Sequence, residues 1–248
     1  MLYLAPENKQ KQKNSKSKNI DWPKQFETLE QLSHSQALKR YYSQGISSPD
    51  TPINKTPMVA VDFETTGLNP EQDGIVSIAA IPMTTERILF SEAKSWVVKP
   101  RRSLTDESVV IHGITHSEIE HAPDLESIID ELLELVAGKV WVVHYHGIER
   151  PFLQRGIKER LHENIQFPLI DTMEIEARFH RKPLSLWQKL RGKKPESIRL
   201  ADSRTRYNLP FYPPHNALTD ALACAELLQA QIAYHFKPDS PLSEIWLP

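Results

Sequence analysis

The chain has 248 residues, 40% apolar and 25% charged, the proportions of an ordinary globular protein with room for one sizeable domain plus an extension. Its 30 basic and 32 acidic residues give a formal net charge of −2, which excludes a global attraction to nucleic acid and leaves any such binding to local patches. The single cysteine excludes an internal disulfide, and no run of about 18 apolar residues offers a transmembrane span.

In chain order, residues 1–20 read as a disordered basic tail: Lys9, Lys11, Lys13, Lys16 and Lys18 stand among Gln, Asn and Ser with nothing apolar between Glu7 and Asn19. The start lacks the apolar core of a signal peptide, so the expected compartment is the cytoplasm. Residues 21–57 read as a helical extension and linker. Phe26, Leu29, Leu32, Leu38, Tyr41 and Tyr42 fit an amphipathic helix over Trp22–Tyr42, expected to pack on the domain and either to form a docking or self-association surface or merely to cover the core, and Gly45–Pro57 carries three prolines and two serines. The main domain is expected over 58–236, with 237–248 as a C-terminal tail. Met58–Phe63, Ile75–Met83 and Trp96–Val98 have the spacing of an antiparallel meander. Arg101–His121 is loop-like, with Thr115 or Ser117 as caps. A helix then covers Leu125–Val136 up to Gly138, a fourth strand Val140–Val143, a helix Pro151–Leu161, and a fifth strand Phe167–Ile170 ending at Asp171-Thr172. Cys224 sits in a final Ala/Leu-rich helix as a small core residue. That order argues for a mixed sheet with helices packed on its faces.

The stretch Val59–Gly67, VAVDFETTG, carries the chemistry. Strand alternation points Asp62 and Glu64 to one face. Two like charges that close repel unless a cation sits between them, and hard divalent ions take carboxylate oxygens. The competing reading is two ordinary polar positions on an edge strand. Thr65-Thr66-Gly67 leaves the strand in a turn where glycine tolerates unusual backbone angles and admits a ligand near the backbone. Asp62-Phe63-Glu64-Thr65-Thr66-Gly67 resembles the first motif of the DEDD superfamily of 3′-to-5′ exonucleases.

Two later stretches extend the resemblance. After the fourth strand, VVHYHGIERPFL stands where the superfamily shows a His-Asn pair, three residues, then Asp. Aligning Phe152-Leu153 puts Glu149 at the Asp position, one methylene longer, and His144-Tyr145 at His-Asn. Glu149 also reads as a helix N-terminal acid favoured by the macrodipole. His144 and His146 read as hydrogen-bonded structure rather than ligands, since the metal reading favours oxygen donors. Finally, His215 precedes Asp220 by five residues at the start of the last helix. A rigid carboxylate there ligates metal while an imidazole in the loop takes a proton from water. This His-x-x-x-x-Asp ending resembles the DEDDh subclass, found in proofreading subunits of bacterial DNA polymerase III; a Tyr-type relative would show Tyr where Asn216 stands.

The resemblance covers Met58 to about Ala233. It implies an α/β RNase H-like fold, a mixed five-stranded sheet flanked by helices with an N-terminal helical extension. It also implies two divalent metal ions about 4 Å apart across the scissile phosphate, Mg²⁺ with Mn²⁺ able to replace it. Asp62, Glu64, Glu149 and Asp220 would hold them, His215 would be the general base, and the product a nucleoside monophosphate. Thr65, Thr66, Leu68 and His112 fall where relatives contact substrate. Between Arg181 and Arg206 nine basic residues, with Trp187 and Tyr207, oppose only Glu196 and Asp202. Cations interleaved with aromatics suit a single-strand path; the alternative is a solvated loop with Trp187 anchored in the core. The expected activity is a metal-dependent 3′-to-5′ exonuclease on single-stranded nucleic acid or frayed 3′ ends, DNA favoured, working with a polymerase or repair partner and without a membrane. The alternatives are RNA trimming, or an exonuclease-like module that binds nucleic acid or a polymerase without cutting.

Overall fold

Nine consecutive residues from Ile75 to Met83 are all buried, the mark of a strand covered on both faces. The computed structural model, which describes residues 20–101, 114–181, 187, 191–192 and 194–247, places this strand inside a six-stranded mixed sheet. The strands are β1 (Met58–Thr65), β2 (Ile75–Met83), β3 (Lys94–Val97), β4 (Val140–Val143), β5 (Leu169–Asp171) and β6 (Trp246–Leu247), in the order β3-β2-β1-β4-β5-β6. The β1, β2 and β3 strands form the expected antiparallel meander, while β4 and β5 add parallel to β1 and β6 closes antiparallel. The sheet therefore has one strand more than the five expected. Two residues of β6 are too few to show alternation in sequence.

The described helices are α1 (Trp22–Leu32), α2 (Gln36–Ser43), α3 (His116–Glu120), α4 (Ile129–Val136), α5 (His146–Leu161), α6 (Thr172–His180), α7 (Leu200–Arg206) and α8 (Ala217–His235). Alternation along β1 sorts them into layers. Val59, Val61 and Phe63 join a core with Phe26 and Tyr42 of the N-terminal helices, Leu132 of α4 and Leu153 of α5. Met58 and Ala60 point the other way, into a core with Ile175 of α6 and Cys224 and Leu228 of α8. Among the described residues no helix is long and apolar enough to cross a membrane.

The N-terminal segment is two helices rather than the single one expected. The break at Ser33–Ser35 is held from outside: Glu163 accepts hydrogen bonds from the backbone N–H of His34 (3.0 Å) and Ser35 (2.6 Å). Trp22, Phe26, Tyr41 and Tyr42 are buried, with the Phe26 ring 5.5 Å from Tyr41 and 5.1 Å from Tyr42. Offset and edge-on aromatic pairs of this kind contribute beyond the area they bury. At the other end of the main domain, Thr115 caps α3 through a complete capping box with Glu118.

Candidate active site

Strands β1 and β4 pair only over Met58–Ala60 and Val140–Val142, so the sheet opens just beyond, at the carboxyl ends of two parallel strands. Asp62 and Glu64 continue the Met58–Ala60 face and so point toward α8. A register shift between Glu64 and Thr65 bends β1 there, as bulges near functional sites do. On the α8 side, small residues allow close approach: Ala217 and Ala221 pack with Ala79. Asn216 caps α8, its side chain accepting from the Thr219 N–H at 3.1 Å, which puts Asp220 in the first turn. The outcome is that Asp62, Glu64 and Asp220 each bring a carboxylate oxygen within 4.8 Å of the others.

Glu149 lies outside that trio but beside it, in the first turn of α5, 3% exposed. Its Oε2 is buried without a hydrogen-bond partner among the described residues. A buried, unpartnered carboxylate oxygen is unfavourable unless a cation completes it. The electrostatics agree. Burial first, then the charges of Glu149, Asp220 and Glu64, push Asp62 well above the ordinary carboxylate range. Burial, then Asp220, raises Glu64 to about 7. Glu149 rises through burial, with Asp171 and Glu64 adding to it. Asp220 rises through burial, partly offset by His215 and Arg204. Four acids in one crevice that cannot all ionise comfortably fit divalent cations, whose hard charge takes carboxylate oxygens.

The start of α5 departs from expectation. The helix begins at His146, five residues before Pro151, because the Asp171 carboxylate at the end of the neighbouring strand β5 caps it. It accepts from the N–H of Tyr145 (3.0 Å) and of His146 (2.8 Å) and from His146 Nδ1 (2.7 Å). Burial opposes the Asp171 charge, but these bonds hold it below the ordinary value. Sequence reasoning left Asp171 unassigned. Its signal in the sequence is an acid at the end of a predicted strand, immediately before a helix. A Cβ at Gly147 would fall 2.7 Å from the exposed Tyr145 ring, which would have to turn aside. His144 is structural, as expected. Its Nε2 faces the Ile198 carbonyl at 3.1 Å and its Nδ1 the Thr172 hydroxyl at 2.8 Å, while that hydroxyl donates to the Val143 carbonyl at 3.0 Å. Burial drops its pKa to about 4 and keeps it neutral.

The RNase T exonuclease profile matches residues 59–228, more than half of the chain. The chain belongs to the RNase T exonuclease family. Among its curated relatives, the DNA polymerase III subunit epsilon-like protein of Rhodobacter capsulatus is 31% identical over 179 residues, 71% of this chain and 24% of that protein. The DNA polymerase III subunit epsilon of Treponema pallidum is 26% identical over 179 residues, 72% of this chain and 77% of that one. A PolC-type DNA polymerase III of Thermotoga petrophila is 30% identical over 128 residues, and the matched part spans only 9% of its length. Solved structures share the fold. The nuclease domain of 3′hExo, a DEDDh family member bound to rAMP, aligns with a TM-score of 0.59 at 16% identity, covering 72% of this chain and 92% of that one. Exonuclease X in complex with 5′ overhanging duplex DNA aligns at 0.54 and 22% identity, covering 75% and 97%.

The remaining sequence-predicted residues fall unevenly around the crevice. His215 is exposed in the loop before α8, with a left-handed φ of 71°, and its N–H donates to Asp220 Oδ2 at 2.7 Å. Thr65 donates to the Gly67 carbonyl at 2.7 Å. The Thr66 hydroxyl is buried and accepts from the Gly74 N–H at 3.0 Å, which engages it in the turn rather than leaving it open to a ligand. Gly67 is needed for a different reason than expected: a Cβ would meet the Asp73 carboxylate at 2.5 Å. Leu68 is 44% exposed. His112 lies outside the described residues, as do Lys182, Lys189 and Lys193 of the basic run. Within that run Arg204 and Tyr207 are buried, Arg206 pairs with the buried Glu176 at 2.6 Å, and Trp187 is 74% exposed rather than anchored in the core.

Proposed function

We propose that this chain is a metal-dependent exonuclease that shortens single-stranded nucleic acid, or frayed ends, from the 3′ terminus, with DNA favoured, releasing nucleoside monophosphates. The observation that carries this reading is the convergence of Asp62, Glu64 and Asp220 within 4.8 Å. The unpartnered Glu149 oxygen beside them supports four ligating acids. Two divalent ions held there, Mg²⁺ or Mn²⁺ in its place, would supply a lowered water pKa and charge stabilisation at the phosphate. His215 is the general base: it is exposed and fixed through its backbone to Asp220, so the imidazole can take a proton from the attacking water. Leu68, exposed at the end of the turn, supports a contact with the terminal nucleotide. The polymerase III names of the relatives support a polymerase or repair protein as partner. The 3′hExo structure bound to rAMP favours RNA as the second substrate to be tried.

The deciding experiment is hydrolysis of a 5′-labelled single-stranded DNA and its RNA counterpart with Mg²⁺ or Mn²⁺, beside Asp62→Ala and His215→Ala. A ladder shortening from the 3′ end, lost in Asp62→Ala and slowed about 10²–10⁴-fold but still measurable in His215→Ala, supports the reading, and the faster ladder names the substrate. No metal-dependent cleavage of either strand would leave a binding module in its place.

A further inference from the structure

We propose that Arg204 is a positioning residue for His215, a buried guanidinium that fastens the proline-rich loop between α7 and α8 to the flank of α8. The proposal rests on the reading of His215 as general base.

Arg204, in the last turn of α7, is 3% exposed. A guanidinium this deep is strongly unfavourable unless paired and hydrogen-bonded. Its bonds tie the first part of the loop to the side of α8. Nη2 donates to the carbonyl of Pro210 at 2.9 Å and to Glu226 Oε2 at 2.7 Å, while Nη1 donates to the carbonyl of Ala223 in α8 at 2.6 Å. The guanidinium carbon lies 4.6 Å from the centre of the Tyr212 ring, and the Tyr212 hydroxyl donates to Glu226 Oε1 at 3.0 Å. Three loop residues beyond that ring comes His215. Between them stand Pro213 and Pro214, whose rings lock φ. The segment from pin to imidazole is therefore short and stiff. It ends at His215 in a backbone of positive φ, 71°, uncommon for a residue other than glycine. The Asp220 bond to the His215 N–H holds one side, and the Arg204 clasp holds the other. Lysine cannot replace arginine here, since one ammonium reproduces neither the fork nor the stack.

The test measures kcat and KM on a 5′-labelled single-stranded oligonucleotide with Mn²⁺. The proteins are wild type, Arg204→Lys, Tyr212→Leu, His215→Ala, and each clasp variant combined with His215→Ala. Arg204→Lys should lower kcat about 10²-fold, the scale of a small misplacement of a reacting group, with KM changed less than about threefold. Tyr212→Leu, which keeps the Arg204 hydrogen bonds, should lose about tenfold, and it carries the test if Arg204→Lys does not fold. The losses should vanish in the His215→Ala background, because groups acting through one another are not additive. An independent readout is the His215 ring signal of metal-free, ¹³C-histidine-labelled protein, assigned by its absence in His215→Ala. It should shift toward the position of an unstructured histidine in Arg204→Lys. Equal losses in both backgrounds, or an unmoved His215 signal, overturn the proposal and leave Arg204 as structure only. A fully active His215→Ala instead overturns the general-base reading itself, and the positioning role with it.

Discussion

Asp62, Glu64, Glu149 and Asp220 form a site whose charge is incomplete, and the incompleteness is measurable. Glu149→Gln keeps the volume and removes the charge, so metal affinity should fall about 10–100-fold, as when a partner of a metal site is lost. Calorimetric titration with Mn²⁺ checks it, and an unchanged affinity would remove Glu149 from the site. Glu64, raised to about 7 from an ordinary 4.5, predicts a pH effect of definite sign. Between those values the folded state holds a proton that the unfolded chain has released, so the metal-free protein loses stability as pH rises through the window. His144, held to about 4, acts oppositely below its ordinary 6.5, so the group must be isolated by difference. Glu64→Gln should stabilise the metal-free protein at pH 8 and leave it nearly unchanged at pH 5, read by thermal melting in chelator. Stabilisation at pH 5 equal to that at pH 8 would show that Glu64 does not titrate in this window.

At the level of elements, what could be read from sequence was what is encoded locally. Alternation over Met58–Glu64, the apolar run of β2, the Leu spacing of α4 and the Ala/Leu-rich run of α8 are all properties of neighbouring residues. The misread boundaries have long-range causes. The helix break at Ser33–Ser35 depends on Glu163, the early start of α5 on Asp171, and β6 on a two-residue pairing with Leu169 and Ile170. The site followed the same division: motif acids were legible, whereas Arg204 read as one cation in a basic run because nothing local announces its burial. Glu163→Ala removes both acceptors at the α1–α2 break without touching either helix. It should cost about 0.5–2 kcal/mol, the range of a lost cap. Urea titration checks it; no change would mean that the break is held by packing alone.

For the whole molecule, the decisive feature is that α1 and α2 contribute to the same core as β1, α4 and α5. The N-terminal helices and the exonuclease domain should therefore unfold in one transition. Phe26→Ala, at a fully buried position among three other aromatics, should lower that stability by about 3–5 kcal/mol, the usual range for emptying such a site. The fluorescence of Trp22 and far-UV circular dichroism should shift together. Separate transitions would mean that the extension folds apart from the domain.

The position of β6 also bears on synthesis. The strand β5 is complete at Asp171, yet the strand covering its outer edge begins at Trp246. At roughly 5–20 residues per second, a ribosome needs about 4–15 s to make the chain between them. Throughout that interval β5 presents unpaired backbone groups, an invitation to any passing strand. The segment that ends the exposure follows the one that delivers Asp220, so the nascent chain acquires its third clustered acid and its closed edge almost together.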